Sequence, residues 1–473
     1  MSGAGEKNPG GQPAEGTDEQ GQTDEPEGLG FGPELPRRAV LASVQLPDVS
    51  ETDFRESLAE LGRLASTLGL AVEGEVTQKR QSFDSAAYLG PGRLADLTTV
   101  VKSRSVPTVV LLDHEVSPSQ ARQVQKATGA HTVLDRTAVI LEIFHRHANS
   151  RQAKAQVELV RLQYMAPRLR EALKGGDRQR GGIGGKGAGE SAMELDRRKL
   201  RDRIAQLRDE IDAMQTEHKT RSARRQGLRR VALCGYTNAG KSTLFRALTG
   251  SEVYIADKLF ATLDTTVRQL SPEPKNKILV SDTIGFIRNL PTKLVASFKT
   301  TLDEALEANL ILHVVDSADP ACERHIETTN AVLQEIGAGE VPQLLVFNKI
   351  DKLPRNEDGS EAALPEALLQ RFPRHILISA KRPEDVQRAH AAIVAFFDRD
   401  LVEAELLVPY DRQALRGPIF ALAEVLSEDH DEAGTRLRVR IDPIALRQLA
   451  RDVHVVGAQN QAPTQSESKR AKE

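Results

Sequence analysis

The sequence of 473 residues contains no tryptophan, only two cysteines and few aromatic residues (4% of the chain). Cys234 and Cys322 are too few for a disulfide framework, so we expect reduced thiols in a cytosolic protein. No run approaches the roughly 18 apolar residues that a membrane span requires, and the N-terminus lacks the apolar stretch of a secretory signal. Composition therefore predicts a cytoplasmic protein with no membrane partner and excludes a membrane transporter.

Neither sign of charge dominates the whole chain, whose formal net charge is −3, so the overall charge indicates no partner. Residues 1–37 are rich in Gly, Gln, Pro, Glu and Asp and poor in apolar side chains. Such a segment cannot bury enough surface to fold, and we predict a disordered acidic tail. A second disordered tail is predicted at 458–473.

Alternating strand and helix patterns follow the acidic tail. Strands are predicted at 40–44, 71–76, 108–112 and 131–134, and helices at 54–68, 90–102, 117–127 and 136–147. This order predicts a small parallel α/β domain over residues 38–150. Gly90-Pro-Gly92 lacks the lysine of a phosphate loop, so a turn that starts a helix is favoured over a phosphate-binding turn.

Residues 151–226 have the spacing of two amphipathic helices. The apolar stripes consist of Ala153, Val157, Val160 and Tyr164 in the first helix and of Leu200, Ile204, Leu207, Ile211 and Met214 in the second. The glycine-rich stretch 175–190 between them is not expected to remain helical. We therefore predict an antiparallel helical hairpin with a flexible tip. Its second helix, on the order of 50 Å long, would project as an arm.

The predicted arm is basic. Residues 151–230 contain 21 Lys and Arg against 11 Asp and Glu. Such a patch is typical of a nucleic-acid contact, and a solvated coiled-coil face or a dimer seam is the alternative. Scarce aromatics disfavour base stacking and favour recognition of the shape and phosphates of folded RNA. The candidate RNA contacts are Arg178, Arg180, Gly184, Lys186, Arg197 and Arg198.

A phosphate-binding loop follows the apolar run 231–234. Its residues are Gly235, Tyr236, Thr237, Asn238, Ala239, Gly240, Lys241, Ser242 and Thr243. This is the strand–GxxxxGK[ST]–helix pattern, in which backbone N–H groups and a helix N-terminus hold nucleotide phosphates. Lys241 would bind the β- and γ-phosphates and Ser242 would bind Mg²⁺. Asn238 is a candidate to hold a monovalent cation such as K⁺, with a turn-stabilising role as the alternative.

Further polar signatures come directly after predicted strands, where ligands bind in open α/β sheets. They are Asp282-Thr-Ile-Gly285, Asn348-Lys349-Ile-Asp351 and Ser379-Ala380-Lys381. Asp282 would hold Mg²⁺ through water, and the Gly285 N–H would meet the γ-phosphate. Asn348 and Lys349 would brace the base and the phosphate loop.

Asp351 predicts the identity of the base. A carboxylate there can accept from the N1 and N2 hydrogens of guanine, whereas adenine lacks this donor pair and would leave a buried Asp unpaired. The Ala380 N–H would donate to guanine O6. The order of the signatures along the chain predicts binding of GTP and GDP.

Two loops, 259–266 and 286–293, are predicted to sense the nucleotide. In the first, Thr262 should close on Mg²⁺ when GTP is bound, with Thr265 as the alternative. Lys241, Thr262 and Gly285 form the predicted catalytic set. Phe286 occupies the position at which many GTPases have a water-orienting Gln, so hydrolysis should be slow without a partner or another group.

The predicted architecture is therefore α/β. A GTPase domain with a mostly parallel sheet (227–400) is preceded by the small α/β domain and the hairpin. A small α/β module (401–457) follows, in which we predict a helix near 412–426 and a strand at 435–441.

Several motifs are shared with a known family over about residues 39–455. They are Leu134-Asp-Arg-Thr137, Gln156-Val-Glu-Leu159, Tyr164 with Pro167-Arg-Leu169, 187–198, Leu259-Phe-Ala-Thr-Leu-Asp264 and Asp282-Thr-Ile-Gly-Phe286. With these motifs the sequence resembles the HflX family of ribosome-associated translational GTPases. It departs from the usual family motif at Ala188, in place of Pro, and at 191–193, in place of Thr-Gln-Leu.

The resemblance implies binding to the large ribosomal subunit and its rRNA, with the arm directed toward the peptidyl-transferase region. It also implies splitting of stalled or idle ribosomes under stress, and ATP binding by the N-terminal domain. A subunit-assembly GTPase is an alternative with the same chemistry. A signalling switch whose arm binds a protein partner is an alternative from another class, which the basic arm disfavours.

Overall fold

The computed structural model describes residues 35–103, 106–177, 188–223, 228–251, 259–260, 262–263, 265–274, 277–288, 294, 299–354, 364–399, 401–451 and 453–459. Most of the acidic tail and of the C-terminal tail, and the tip of the arm at 178–187, therefore lie outside the described residues, as do the predictions made for them. None of the described helices is long and apolar enough to cross a membrane.

The first sheet is parallel throughout, with strand order β2-β1-β3-β4. Its strands are β1 (Arg38–Gln45), β2 (Ala71–Lys79), β3 (Val109–Leu112) and β4 (Thr132–Asp135), and its helices are α1 (Glu51–Thr67), α2 (Pro91–Lys102), α3 (Pro118–Thr128) and α4 (Arg136–His147). Gly90 is the N-cap of α2 and Pro91 occupies its first turn, so this glycine turn starts a helix. The predicted parallel α/β fold of this region is confirmed.

A buried arginine lies at the carboxyl edge of this sheet. Arg136 is 2% exposed and forms ion pairs with Glu60 and with Asp113, whose Oδ1 lies 2.9 Å from the guanidinium. Ser43 Oγ donates to the other oxygen of Asp113. Because a buried charge is stable only when it is paired, these contacts hold α1, β3 and α4 together.

The arm consists of α5 (Arg151–Asp177) and α6 (Ala188–Ala223). The prediction that 175–190 leaves the helical state was wrong at both edges, because Gly175 and Gly176 stay in α5 and α6 already begins at Ala188. Each glycine costs a helix only about 1 kcal/mol, which a long helix tolerates near its end.

The predicted seam of the arm also needs correction. The stripe of Ala153, Val157, Val160 and Tyr164 packs against the core of the first domain. The two arm helices instead meet through Ala155, Leu159, Leu207 and Ile211. Helix α5 therefore has two apolar faces, and only one of them faces its partner helix.

Asp135 anchors the arm to the first sheet. Its Oδ1 accepts from the Tyr164 hydroxyl (2.6 Å), and its Oδ2 accepts from Arg168 (2.7 Å). The Arg168 guanidinium also stacks on the Tyr164 ring, 3.5 Å from its centroid. These charge-assisted contacts fix the direction in which α5 leaves the first domain.

The second sheet has the order β10-β9-β8-β5-β7-β6, and only the edge strand β6 is antiparallel to its neighbour. The strands are β5 (Arg229–Gly235), β6 (Thr266–Gln269), β7 (Ile278–Asp282), β8 (Leu310–Asp316), β9 (Gln343–Asn348) and β10 (His375–Leu377). The helices are α7 (Lys241–Thr249), α8 (Lys299–Leu306), α9 (Cys322–Glu335), α10 (Glu366–Arg371) and α11 (Pro383–Asp398). The mostly parallel sheet is as predicted.

The last sheet is antiparallel, in the order β12-β13-β11-β14. Its elements are β11 (Val402–Val408), a 3₁₀ helix (Tyr410–Leu415), α12 (Arg416–Leu422), β12 (Ala423–Asp431), β13 (Gly434–Ile441), α13 (Pro443–Leu449) and β14 (His454–Gln459). The predicted helix over 412–426 was wrong beyond Leu422, because the chain there pairs with β13. The predicted end of this module at 457 was also wrong, since β14 continues to Gln459.

We predict that Arg136→Met lowers the free energy of unfolding by about 3–5 kcal/mol, because it leaves Glu60 and Asp113 buried without their cation. Arg55→Met is the matched control, since Arg55 is exposed and pairs with Glu51 and Glu75 at the surface. Its loss should stay within about 1 kcal/mol. Urea unfolding followed by circular dichroism measures both, and equal losses would contradict the assigned role of Arg136.

Candidate nucleotide-binding site

A cleft of about 300 Å³ opens at the carboxyl ends of β5, β7, β9 and β10. It is lined by Thr237, Asn238, Gly240, Lys241, Ser242, Thr243, Phe260, Thr262, Thr283, Gly285, Asn348, Lys349, Asp351, Lys352, Ser379, Ala380 and Lys381. Most of the residues predicted to bind GTP are thus brought together. Four predicted residues do not belong to the lining, although they lie next to lining residues in the chain or in the phosphate loop: Gly235, Tyr236, Ala239 and Asp282.

Two glycines of the phosphate loop have no room for a side chain. Gly235 has φ +149°, and a Cβ there would lie 2.1 Å from the Val314 carbonyl oxygen. Gly240 has φ +93°, and its Cβ would lie 2.3 Å from Asn348 Nδ2. The loop therefore needs glycine for its backbone conformation and for its close approach to β8 and β9.

Lys241 is buried at the base of the loop. Its Nζ donates to the carbonyl oxygens of Gly235 (3.0 Å) and Tyr236 (2.9 Å). Burial lowers the pKa of Lys241 to about 8, although the nearby Asp282 acts in the opposite direction. An anionic phosphate in the cleft would compensate this buried charge.

Three oxygen-bearing side chains meet beside Lys241. Ser242 Oγ lies 2.8 Å from Thr262 Oγ1, which in turn donates to Asp282 Oδ2 at 3.2 Å. The other Asp282 oxygen is buried and has no hydrogen-bond partner, and burial raises the pKa of this carboxyl group. Hydroxyl and carboxylate oxygens are the ligands that Mg²⁺ prefers. The residues present therefore fit the metal that P-loop GTPases use.

At the other end of the cleft, Asn348 and Lys349 reach the phosphate loop. Asn348 Nδ2 donates to the Ala239 carbonyl at 2.9 Å, and Lys349 Nζ donates to the Asn238 carbonyl at 2.5 Å. Lys349 also pairs with Asp316. These contacts tie the loop to the ends of β8 and β9.

The predicted base-binding residues lie at the rim. Asp351 is exposed in a 3₁₀ turn (Ile350–Lys352), which corrects the assumption that it is buried. Its Oδ1 accepts from Ser379 Oγ (2.7 Å). The Ala380 N–H donates to Asn348 Oδ1 at 2.9 Å, so guanine O6 would have to share this donor. Lys381 donates its N–H to Ser379 Oγ.

Asn238 adopts a left-handed backbone conformation with φ +60°, and its side chain is exposed. Asn is one of the few residues with a side chain that tolerates this region, which suits the turn-stabilising interpretation. Its place in the cleft lining also suits a contact with a cation.

Tyr236 differs from the prediction for a phosphate-loop residue. Its side chain leaves the cleft and donates to buried Glu60 in α1. The same hydroxyl accepts from the Arg288 N–H (2.8 Å), and the ring stacks on His325 with centroids 3.8 Å apart. The backbone of Tyr236 contributes to the cleft, since its carbonyl accepts from Lys241, whereas its side chain connects the phosphate loop to the first domain.

Phe286 is fully buried. Its N–H donates to the Gly235 carbonyl and its carbonyl accepts from the Thr237 N–H at 2.7 Å, so its backbone links the phosphate loop to the segment after β7. Among the predicted RNA contacts, Arg197 and Arg198 lie in the described part of α6. Arg198 is exposed and Arg197 is half-buried, and neither belongs to the cleft lining.

Sequence reasoning missed three residues of the cleft lining, Phe260, Thr283 and Lys352. Each lies within or directly beside a motif that the sequence singled out. Their proximity to the motifs was the available signal.

We predict that Gly240→Ala weakens binding of a fluorescent GDP analogue by at least about tenfold, because the new methyl group displaces Asn348 from the loop. Gly250→Ala is the matched control. Gly250 also has a positive φ (+63°), but its Cβ would meet only Ser271 Oγ at 3.8 Å. It should lose stability without losing affinity, and comparable affinity losses in both variants would contradict this explanation.

Three family models match consecutive parts of the chain. The family model described as "GTP-binding GTPase N-terminal" matches residues 55–145, the "GTP-binding GTPase Middle Region" matches 147–225, and the "50S ribosome-binding GTPase" matches 230–349. A solved structure of a GTP-binding protein from Sulfolobus solfataricus in complex with GDP is similar with a TM-score of 0.41 and 23% identity, covering 76% of this chain and 98% of that one.

Curated relatives match over most of their length. GTPase HflX of Gluconacetobacter diazotrophicus is 50% identical over 451 residues, which cover 88% of this chain and 97% of the relative. GTPase HflX of Escherichia coli is 37% identical over 403 residues, covering 84% and 92%. Identity of this extent, together with the phosphate loop and the mostly parallel sheet, indicates a GTP-hydrolysing enzyme, and the chain belongs to the HflX family of GTPases.

Proposed function

We propose that this GTPase binds the large ribosomal subunit through its basic arm and splits stalled or idle ribosomes under stress, in the cytoplasm. The observation that carries the proposal is the excess of positive charge over residues 151–230. In the described part of α6, Arg198, Lys199, Arg201 and Arg208 are exposed. Exposed cations along a projecting helix suit contact with rRNA phosphates. The ribosome-binding name of the matching family model supports the same partner.

The roles of the cleft residues follow from their positions. Lys241 would neutralise the β- and γ-phosphates, and the Gly285 N–H would meet the γ-phosphate, since its backbone lies close to the Lys241 ammonium. Ser242, Thr262 and Asp282 would hold Mg²⁺, Asp282 through water. When bound, Mg²⁺ supplies charge compensation for the transferred phosphoryl group.

At the other end, Asp351 would accept from the N1 and N2 hydrogens of guanine, and Ala380 would donate to O6. Thr237 has a buried hydroxyl oxygen without a partner at the phosphate end of the cleft, where a nucleotide could satisfy it. Phe286 cannot orient a water molecule. Hydrolysis would therefore be slow until the ribosome, or a K⁺ held near Asn238, supplies the group that the site lacks.

The two alternative functions differ from this proposal in the moment at which the arm binds the ribosomal subunit or in the partner that the arm binds. A subunit-assembly GTPase would use the same contacts at an earlier moment, and a signalling switch would use the arm to bind a protein. The positive charge of the arm favours an RNA partner over a protein one. ATP binding by the first domain remains an expectation from the resemblance alone.

We predict that isolated large ribosomal subunits raise GTP turnover by at least about tenfold, as expected when a partner completes a slow site. Turnover is measured with and without subunits, in K⁺ and in Na⁺. GTP-loaded protein should pellet with large subunits at low salt and be released as salt rises. Absence of both stimulation and cosedimentation would contradict the proposal. Equal turnover in K⁺ and Na⁺ would assign Asn238 to the turn alone.

We also predict that Asp351→Asn exchanges the base preference from guanine to xanthine. The amide offers one donor and one acceptor, which pair with the C2 carbonyl and the N1 hydrogen of xanthine. Competition between GTP and XTP for the cleft measures the change, with Asp316→Asn as a control that leaves the base-binding carboxylate in place. Undiminished guanine preference in Asp351→Asn would exclude the assigned role.

A further inference from the structure

The loop that carries Thr262 is held from outside the GTPase domain. Leu259 and Phe260 are only 5% and 3% exposed, and they belong to the same apolar cluster as α4 of the first domain. We propose that α1 and α4 position this loop for GTP hydrolysis through a set of contacts that we name the Phe260 latch: Thr67, Phe144 and His147 against Leu259 and Phe260. The inference rests on the proposed role of Thr262.

The backbone of Phe260 is the first observation. Its φ is +57°, in the left-handed region that a bulky side chain rarely adopts. Such a conformation persists only where the surroundings hold it. Phe260 also lines the nucleotide cleft, so the strained residue belongs to the site and not to a remote surface.

Contacts from the first domain hold this conformation. The Phe144 ring meets the Phe260 ring edge to face, with centroids 4.6 Å apart and an interplanar angle of 77°. His147 Nδ1 lies 2.8 Å from the Phe260 carbonyl oxygen, which can only accept, so this nitrogen carries the proton. The Leu259 N–H donates to Thr67 Oγ1 at the end of α1.

The position of Phe260 limits that of Thr262. Consecutive Cα atoms are about 3.8 Å apart, so the Cα atoms of Phe260 and Thr262, two residues apart, cannot be separated by more than about 7.6 Å. With the latch closed, Thr262 Oγ1 lies 2.8 Å from Ser242 Oγ and 3.2 Å from Asp282 Oδ2. The threonine therefore stands beside the other proposed Mg²⁺ ligands, which lowers the cost of ordering the loop when GTP binds.

The latch also lies next to the arm. His147 is the last residue of α4, and α5 begins four residues later at Arg151. A displacement of α4 that accompanies a movement of the arm would thus shift Phe260, and through it Thr262. By linkage, closure of the loop on GTP would bias the position of the arm in return. Phe144, His147 and Phe260 are positioning residues for hydrolysis.

The experiment compares variants of the full chain at His147. His147→Leu removes the donor, whereas His147→Asn keeps an N–H near the position of Nδ1. His145→Leu is the matched control, because His145 is exposed on the same helix and contacts Arg161. Single-turnover and steady-state hydrolysis separate kcat from KM. Affinities for GDP and for GTP analogues are measured as well. Thr262 is expected to contact Mg²⁺ only when the γ-phosphate is present, so a loss confined to the GTP analogues would show that the variant affects only the triphosphate-bound state.

We expect His147→Leu to lower kcat by at least about tenfold with little change in KM or in GDP affinity, because a misplaced group mainly costs rate. His147→Asn and His145→Leu should stay near the parent. A parent-like kcat in His147→Leu, or an equal loss in His147→Asn, would overturn the latch. Phe260→Leu, which keeps an apolar side chain but loses the edge-to-face contact, should lower kcat in the same way, and thermal melting identifies variants that fail to fold.

Thr262→Ala, measured in parallel, tests the proposed role of Thr262 separately from that of the Phe260 latch. Full activity in Thr262→Ala would show that the assigned role of Thr262 is wrong. Loss of activity in Thr262→Ala together with a parent-like His147→Leu would refute the latch alone and leave the proposed Mg²⁺ ligands in place.

Discussion

The buried charge of Arg136 constrains how the first domain meets the GTPase domain. A guanidinium that is 2% exposed must be fully paired, and its partners come from two places in the fold, Glu60 from α1 and Asp113 from the position directly after β3. Glu60 has a second contact, the hydroxyl of Tyr236 in the phosphate loop. The ion pair that stabilises the first domain therefore also determines which surface of α1 the phosphate loop contacts.

Asp135, the residue before Arg136, connects the first domain to the arm. Asp135 binds Tyr164 and Arg168 of the arm, while Arg136 reaches toward the phosphate loop through Glu60. Two consecutive side chains at the start of α4 thus connect the arm and the nucleotide cleft. Because α4 ends at His147, beside Phe260, one short helix contacts both the support of the phosphate loop and the support of the Thr262 loop.

Local patterns predicted the parts of the structure that local physics determines. The phosphate loop, the strands before it and after it, and the parallel order of both α/β sheets follow from short motifs and apolar runs. Contacts between residues far apart in the sequence could not be predicted from local patterns. Glu60 and Tyr236 are 176 residues apart, and neither segment carries a pattern that points to this contact. The error over 412–426 has the same origin, because β12 owes its conformation to pairing with β13.

The two kinds of motif in this sequence therefore do different physical work. The phosphate loop and the signatures that follow β7, β9 and β10 form the cleft, and other GTPases share them. Asp135 and Tyr164 belong to the motifs typical of the HflX family, yet they lie outside the cleft lining and instead join the arm to the first domain. These family-typical residues set the direction of the arm relative to the nucleotide. Under the proposed function, the contact of His147 with Phe260 and the contact of Asp135 with Tyr164 would connect the Thr262 loop, through α4, to the arm that binds the partner.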